Sequence, residues 1–396
     1  MTAAVIITIC ILLLIAYLFD VTARRTRIPS VILLLVLGWL SQNAASFFNI
    51  PIPDLSGALP VLGTIGLILI VLEGTIELEL NPEKKKTIIL SQIMAAAPML
   101  AGTALIAWVL WSYHPGPPYH WRPYVLNAIP LCIISSAIAI PSSRGLGASN
   151  REFVIYESST SDVLGILLFN FILLNNSFGL NTYALFGGEL LLMMAVSLAA
   201  TLGLTYLLGR IRHPIKYGPI IIMVILIYGI SKAYHLPGLI FIMLFGLFLG
   251  NLKQVKKLRW GKKMNYEKLN QEVHRLSELL AEAAFLIRSL FFILFGFLIQ
   301  TSELLNPDSL MLAVVISGIL ILLRLGFLRL LGLPATPLLF LNPRGLITIL
   351  LFLSIEPEDF VPGVDRSLII QVIMISALFM MTGLLQAKHE PGASAQ

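Results

Sequence analysis

Charge is scarce in this 396-residue chain. Asp, Glu, Lys and Arg make up 12% of it, about half the roughly 25% usual in soluble domains. A chain so poor in charge cannot cover a globule of this length with solvated groups. Cysteine is almost missing: Cys10 and Cys132 are the only two, and both fall inside apolar runs, which excludes a disulfide framework and cysteine-based metal spacing. His114, His120, His213, His235, His274 and His389 are scattered at the ends of such runs or between them. No metal centre and no cofactor is therefore expected. The first apolar run has no basic segment before it and no small-residue cleavage site after it, so it reads as a retained helix and not a removed leader.

What the chain has instead is hydrocarbon. Hydrophobic residues make up 57% of it and the mean hydropathy is +0.89. Apolar runs recur from end to end, near 3–19, 28–42, 58–76, 87–112, 125–143, 153–175, 183–208, 218–232, 236–251, 279–299, 309–330, 336–354 and 367–386. Most approach the length needed to cross a hydrocarbon core about 30 Å thick. The expected fold class is an all-α polytopic membrane protein of thirteen transmembrane helices in one domain, 1–386, with a short cytoplasmic tail, 387–396. The segment between runs 9 and 10, Leu252 to Glu278, is the one substantial soluble stretch, basic and expected to be helical from Tyr266.

The net charge of +6 is a topology signal rather than a nucleic-acid footprint. Loops after odd-numbered runs hold twenty Lys and Arg, against three in loops after even-numbered runs. Positive residues mark the cytoplasmic side, which puts the N-terminus outside and the C-terminus inside.

The chain also repeats itself. Pro29 stands nine residues before Gly38 on an aliphatic background, and Pro237 stands nine before Gly246. The next runs echo each other at Glu73-Gly74 and Phe295-Gly296. These pairs join runs 2 and 9, then 3 and 10, always seven apart, and an odd offset inserts the second copy from the opposite side. Repeat one is then about 1–175, repeat two about 218–386, and run 7 (about 183–208) links them. Inverted repeats are typical of secondary transporters that work by alternating access. Runs 5 and 12, again seven apart, both look broken: one carries Ser135, Ser136 and Pro141, the other Asn342-Pro343-Arg344-Gly345. Proline frees a carbonyl and small residues permit unwinding. Interrupted helices at matching places in two halves point to an ion site near the midplane.

Ionisable residues in apolar runs cost about 2.5–3.5 kcal/mol each even on the mildest scale, so each needs a reason. Asp162 and Glu157 sit in run 6, Arg324 in run 11, Arg344 in run 12, Arg288 in run 10 and Glu73 late in run 3, where it is expected to reach the cytoplasmic interface. Glu157 and Asp162 are five residues apart, about 500° of helical rotation, so they can have separate partners. Glu157 with Arg324 is the preferred structural pair, which leaves Asp162 to hold either a proton or a cation. Ser161, Thr160, Ser135 and Ser136 are expected to add hard oxygen ligands of the kind alkali cations need. Arg344 needs a carboxylate or backbone carbonyls to offset its desolvation.

At these residues the chain resembles the membrane domain of the monovalent cation/proton antiporter superfamily, the sodium/proton and potassium/proton exchangers. The electroneutral branch of that family carries Glu-Ser-x-x-Asn-Asp in its sixth helix, and here the motif stands as Glu157-Ser158-Ser159-Thr160-Ser161-Asp162. Ser135-Ser136-Ala137-Ile138-Ala139 is similar to the family's first crossing helix, Arg344-Gly345 to the second, and Arg324 to the basic residue of its eleventh helix. The departure is Ser161, where the family usually has Asn. The resemblance implies exchange of a monovalent cation (sodium, potassium or lithium) for a proton, one for one because no second Asp is present. It also implies a homodimer in the lipid bilayer, with a rigid dimer part and a mobile ion-carrying core.

Three other readings stay open from the residues alone. A sodium-coupled symporter of small organic anions shares crossed broken helices but needs a larger cavity and has fewer helices. An intramembrane protease needs two membrane aspartates or a deep Ser–His pair. A passive channel would not couple cation flux to protons.

Overall fold

The computed structural model describes residues 2–386 apart from 27, 49–54, 56, 79, 81, 115–120, 176–178, 212, 214–215, 235, 237 and 256–265. The expected tail, His120, His235, His389, Pro237 of the repeat and the middle of the basic linker lie outside the described residues.

Sixteen α-helices and three short 3-10 turns account for the fold among the described residues. The first repeat contributes α1 (Thr2–Thr26), α2 (Ser30–Phe47), α3 (Ala58–Ile76), α4 (Lys85–Tyr113), α5 (Arg122–Cys132), α6 (Ser136–Ser142) and α7 (Ala148–Leu174). A long helix, α8 (Leu180–Arg210), follows. Next come α9 (Tyr217–Ala233), α10 (Gly238–Gly250), the single turn α11 (Leu252–Val255), α12 (Tyr266–Phe297), the single turn α13 (Thr301–Leu304), α14 (Pro307–Leu330), α15 (Leu346–Phe352) and α16 (Arg366–Gln386). Ten stretches are long and apolar enough to cross a membrane, the α5–α6 stretch among them, and α9 and α10 are shorter apolar helices. With the broken segment that ends in α15, they make the thirteen runs.

Two boundaries differ from expectation. The soluble linker helix and run 10 are one continuous helix, α12, because nothing between Tyr266 and Phe297 breaks it. Run 12 is helical only over Leu346–Phe352, and residues before it are turn and extended chain. Pro334, Pro337 and Pro343 explain this, since proline removes the N–H donor and forces the residue before it out of the helical region.

Packing follows the seven-run offset. Helix α2 packs on α12 and, in the matching pair, α10 packs on α3. Likewise α4 packs on α7 as α14 packs on α16, and α1 on α2 as α9 on α10. The helices approach closely at the repeat's own glycines. A Cβ on Gly38 would strike the Ile293 carbonyl, one on Gly296 the Leu35 carbonyl, and one on Gly246 the Thr75 side chain. Small residues let helix backbones approach closely where lipid supplies no hydrophobic drive for association.

The two broken runs meet. Between α5 and α6 the chain is extended at Ile133 and at Ser135. The Ser135 N–H donates to the Pro343 carbonyl across the crossing at 2.9 Å. The Ile134 N–H donates to Ser161 Oγ on α7 at 3.0 Å. Polar backbone groups at membrane depth must be satisfied inside the protein, and here each break helps to satisfy the other.

Candidate functional site

Helix α7 brings the charged motif past this crossing. Its N-terminal half is polar, yet Glu157, Ser158, Ser159, Ser161 and Asp162 are all buried, because α4, α5 and α6 pack around it. Glu157 and Asp162 have opposite surroundings. Arg324 of α14 donates to both Glu157 oxygens, Nη1 to Oε1 at 2.6 Å and Nη2 to Oε2 at 2.9 Å. Its Nε donates to the Leu338 carbonyl at 2.7 Å. A two-pronged guanidinium–carboxylate pair is the strong form of this contact, and it occupies all of the Glu157 carboxylate.

Asp162 is 0% exposed, and neither of its oxygens has a hydrogen-bond partner of normal geometry among the described residues. The Ser136 hydroxyl and N–H, at the start of α6, lie within electrostatic reach of it without closing a full bond. Ser135 Oγ is also buried and unpartnered, and it faces Gly345 of the second break. Ser161 Oγ accepts from Ile134 and braces the break, with a second lone pair to spare.

Thr160, among the expected ligands, has a partner of its own. Its Oγ1 accepts from Gln92 Nε2 of α4 at 2.8 Å. Two residues along a helix is about 200° of rotation, so Thr160 and Asp162 face different neighbours here.

Arg344 meets carbonyls and not a carboxylate. Its Nε donates to Leu131 O at 2.6 Å, and Nη1 donates to Asn342 Oδ1 at 2.8 Å. Leu131 lies in the last turn of α5, so the cation sits at the negative end of a helix dipole. The Arg344 N–H also donates to Ser376 of α16 at 2.9 Å. Its guanidinium thus caps the first broken run while its backbone belongs to the second.

The sodium/hydrogen exchanger family model (sodium/hydrogen exchanger, transmembrane) matches residues 10–387. The chain belongs to that family. Family membership makes it an integral, multi-pass exchanger rather than an enzyme. Two solved structures of the sodium proton antiporter MjNhaP1 from Methanocaldococcus jannaschii share the fold. The first, determined at pH 8, aligns with a TM-score of 0.67 at 19% identity and covers 96% of this chain and 99% of that one. The second, from electron microscopy, aligns with a TM-score of 0.67 at 18% identity and covers 97% and 95%. A comparison with curated proteins returns no match.

This exchanger has a second charged cluster that the sequence did not disclose. Glu73 is 7% exposed, and Arg144 Nη2 lies 3.5 Å from it. Arg144 also faces Asp20 at 3.7 Å, and Arg288 faces Asp20 at 3.8 Å. Arg288 is therefore enclosed within α12 and does not extend to a lipid headgroup. Four charges from α1, α3, α12 and the turn after α6 sum to zero there. Arg144 stands in a loop by sequence, and only its folding back under α6 brings it to Glu73.

Proposed function

We propose that the protein exchanges a monovalent cation for a proton, one for one, with Asp162 as the site both compete for. The observation that carries this reading is the pair of fully buried, unpartnered Asp162 oxygens beside a Glu157 already consumed by Arg324. A buried carboxylate without a partner must take up a counter-charge, and a proton or an alkali cation each supplies one positive charge. Loading one therefore expels the other, and a full cycle moves no net charge. Ser135, Ser136 and Ser161 supply the hard oxygens around Asp162, while Thr160 lies outside the set. Arg344 holds the crossing open against its own dipoles and Glu157–Arg324 fixes α7 against α14. Sodium is the first cation to test, since it is the ion of the family and of MjNhaP1; potassium and lithium follow. The mode is alternating access, the working unit a homodimer, and the N-terminus lies outside.

The test uses purified protein in liposomes with an entrapped pH dye, challenged with sodium, potassium or lithium. Wild type is expected to move protons in response to at least one cation, whether or not the membrane potential is clamped. The apparent KM should rise as the pH falls, in proportion to proton concentration once protons occupy the site. Asp162→Asn should be silent. Flux that follows the potential, or that survives in the variant, would show that Asp162 is not the site of one-for-one exchange.

A further inference from the structure

A small cavity lies behind the crossing. It has room for one water-sized particle, about 10 Å³. Its walls are α4 around Pro98, Cys132 of the first break, Arg324 of α14, and Asn342 and Arg344 of the second break. The first break sends neighbouring side chains in different directions. Ile133 points to α7, where a Cβ on Gly165 would strike it, whereas Cys132 points to α4, where its Sγ would lie 3.2 Å from a Cβ on Gly102. The cavity is thus on the α4 and α14 side of the crossing, and Asp162 is not among its walls.

Charge in these walls does not balance. Arg324 and Glu157 neutralise each other. Arg344 is 2% exposed, and its partners are all neutral: Nε donates to Leu131 O, and Nη1 to Asn342 O and Oδ1. A guanidinium has five N–H donors, so both on Nη2 are unused among the described residues. Asn342 engages its Oδ1 in this contact, and its Nδ2 is likewise unused among them. A buried charge without a counter-charge is costly, and carbonyl dipoles offset only part of that. Water brings no charge, and its own hydrogens need acceptors, while Leu131 O and both Asn342 oxygens are already engaged. A halide accepts from every one of these donors, needs no acceptor and brings one negative charge. Met94, Met99 and Cys132 add polarisable sulfur to the lining.

We infer that this cavity binds one monovalent anion of halide size, chloride in the first instance, held by Arg344 Nη2 and Asn342 Nδ2. The ion neutralises Arg344 and ties the end of the first broken run to the second. It stands whether or not Asp162 exchanges cations. An organic anion such as gluconate is too large for the space. The rival occupant is a water, because Pro98 frees the Met94 carbonyl on α4 as an acceptor.

The experiment uses the full-length protein, purified and equilibrated in sodium chloride, sodium bromide or sodium gluconate. Sodium and ionic strength are held equal, so only the anion differs. The melting temperature should rise with the logarithm of chloride or bromide concentration, by about 2 °C per tenfold once the site is half filled, and stay flat in gluconate. Crystals grown in bromide should show an anomalous-scattering peak between Arg344 and Asn342. Asn342→Asp sets a carboxylate beside Arg344 and supplies the counter-charge from within. It should melt in gluconate at least as high as wild type does in chloride, and lose both the halide response and the bromide peak. Cys132→Leu fills the space without adding charge, and should also lose the response and the peak. Melting that follows ionic strength whatever the anion would overturn the site. So would density in the cavity with no anomalous signal in bromide, which marks water. A halide response of full size in Asn342→Asp would place the binding elsewhere and overturn it too.

Discussion

Two carboxylates lie on one helix, both out of reach of water, and they differ in a single respect. Glu157 is 1% exposed and held by two hydrogen bonds from Arg324; Asp162 is 0% exposed and held by none. Burial therefore does not distinguish a structural acid from a working one here. The partner does. A buried pair locked in good geometry has no free energy to gain from a visiting ion, whereas an isolated buried carboxylate gains from any cation or proton that arrives. The five-residue spacing makes the difference possible, because it turns the two side chains to different neighbours.

The comparison breaks most visibly if the two residues are neutralised in turn. Asp162→Asn should lose all cation-dependent proton flux and keep its melting temperature, since those oxygens accept no hydrogen bond of normal geometry. Glu157→Ala should do the reverse in kind: it strands Arg324 in the core, at a cost of about 3–5 kcal/mol, read as a fall in melting temperature and yield. Glu157→Ala combined with Arg324→Ala should recover part of that loss, because no unpaired charge is then buried. Equal melting temperatures for Asp162→Asn and Glu157→Ala would collapse the distinction.

A smaller effect is expected at Ser161, which serves both residues' helix without belonging to either. Ser161→Ala leaves the Ile134 N–H without its acceptor, worth about 1–3 kcal/mol for a buried donor. It should also slow exchange, because the break that presents Ser135 and Ser136 loses its brace. Ser161→Asn keeps an acceptor there, as in relatives whose motif carries Asn, and should retain exchange. Thermal melts and initial flux rates for the two variants, side by side, decide it.

Much of this was legible beforehand, for reasons that can be stated. Helix positions followed from run length and hydropathy because lipid allows hardly any other backbone at that depth. The acid–guanidinium pair followed from scarcity, since a buried glutamate must find a cation and few were deep enough. What the chain hid was tertiary. Glu73 shows no partner in the sequence, because Arg144 meets it from the turn after α6, and no local pattern encodes that return. The second break was visible as Asn342-Pro343-Arg344-Gly345, but its full length was not, because each proline alone is compatible with a kinked helix. The Gln92 partner of Thr160 was hidden for a simpler reason: it comes from α4, and nearness along a helix is not nearness in space.

That last point gives the finest test. Thr160→Val removes the acceptor used by Gln92 Nε2 and keeps the side chain's shape, so it should cost about 0.5–1.5 kcal/mol and leave exchange untouched. The cation KM, the sodium-to-potassium preference and the pH at which flux is half-maximal should all match wild type. Gln92→Leu should give the same small loss of stability, since it deletes the other half of one bond. A raised KM in Thr160→Val, with none in Gln92→Leu, would put the threonine oxygen back among the groups that touch the ion. It would also mean that α7 turns about its axis when the cation binds, since one face of the resting helix cannot hold both oxygens.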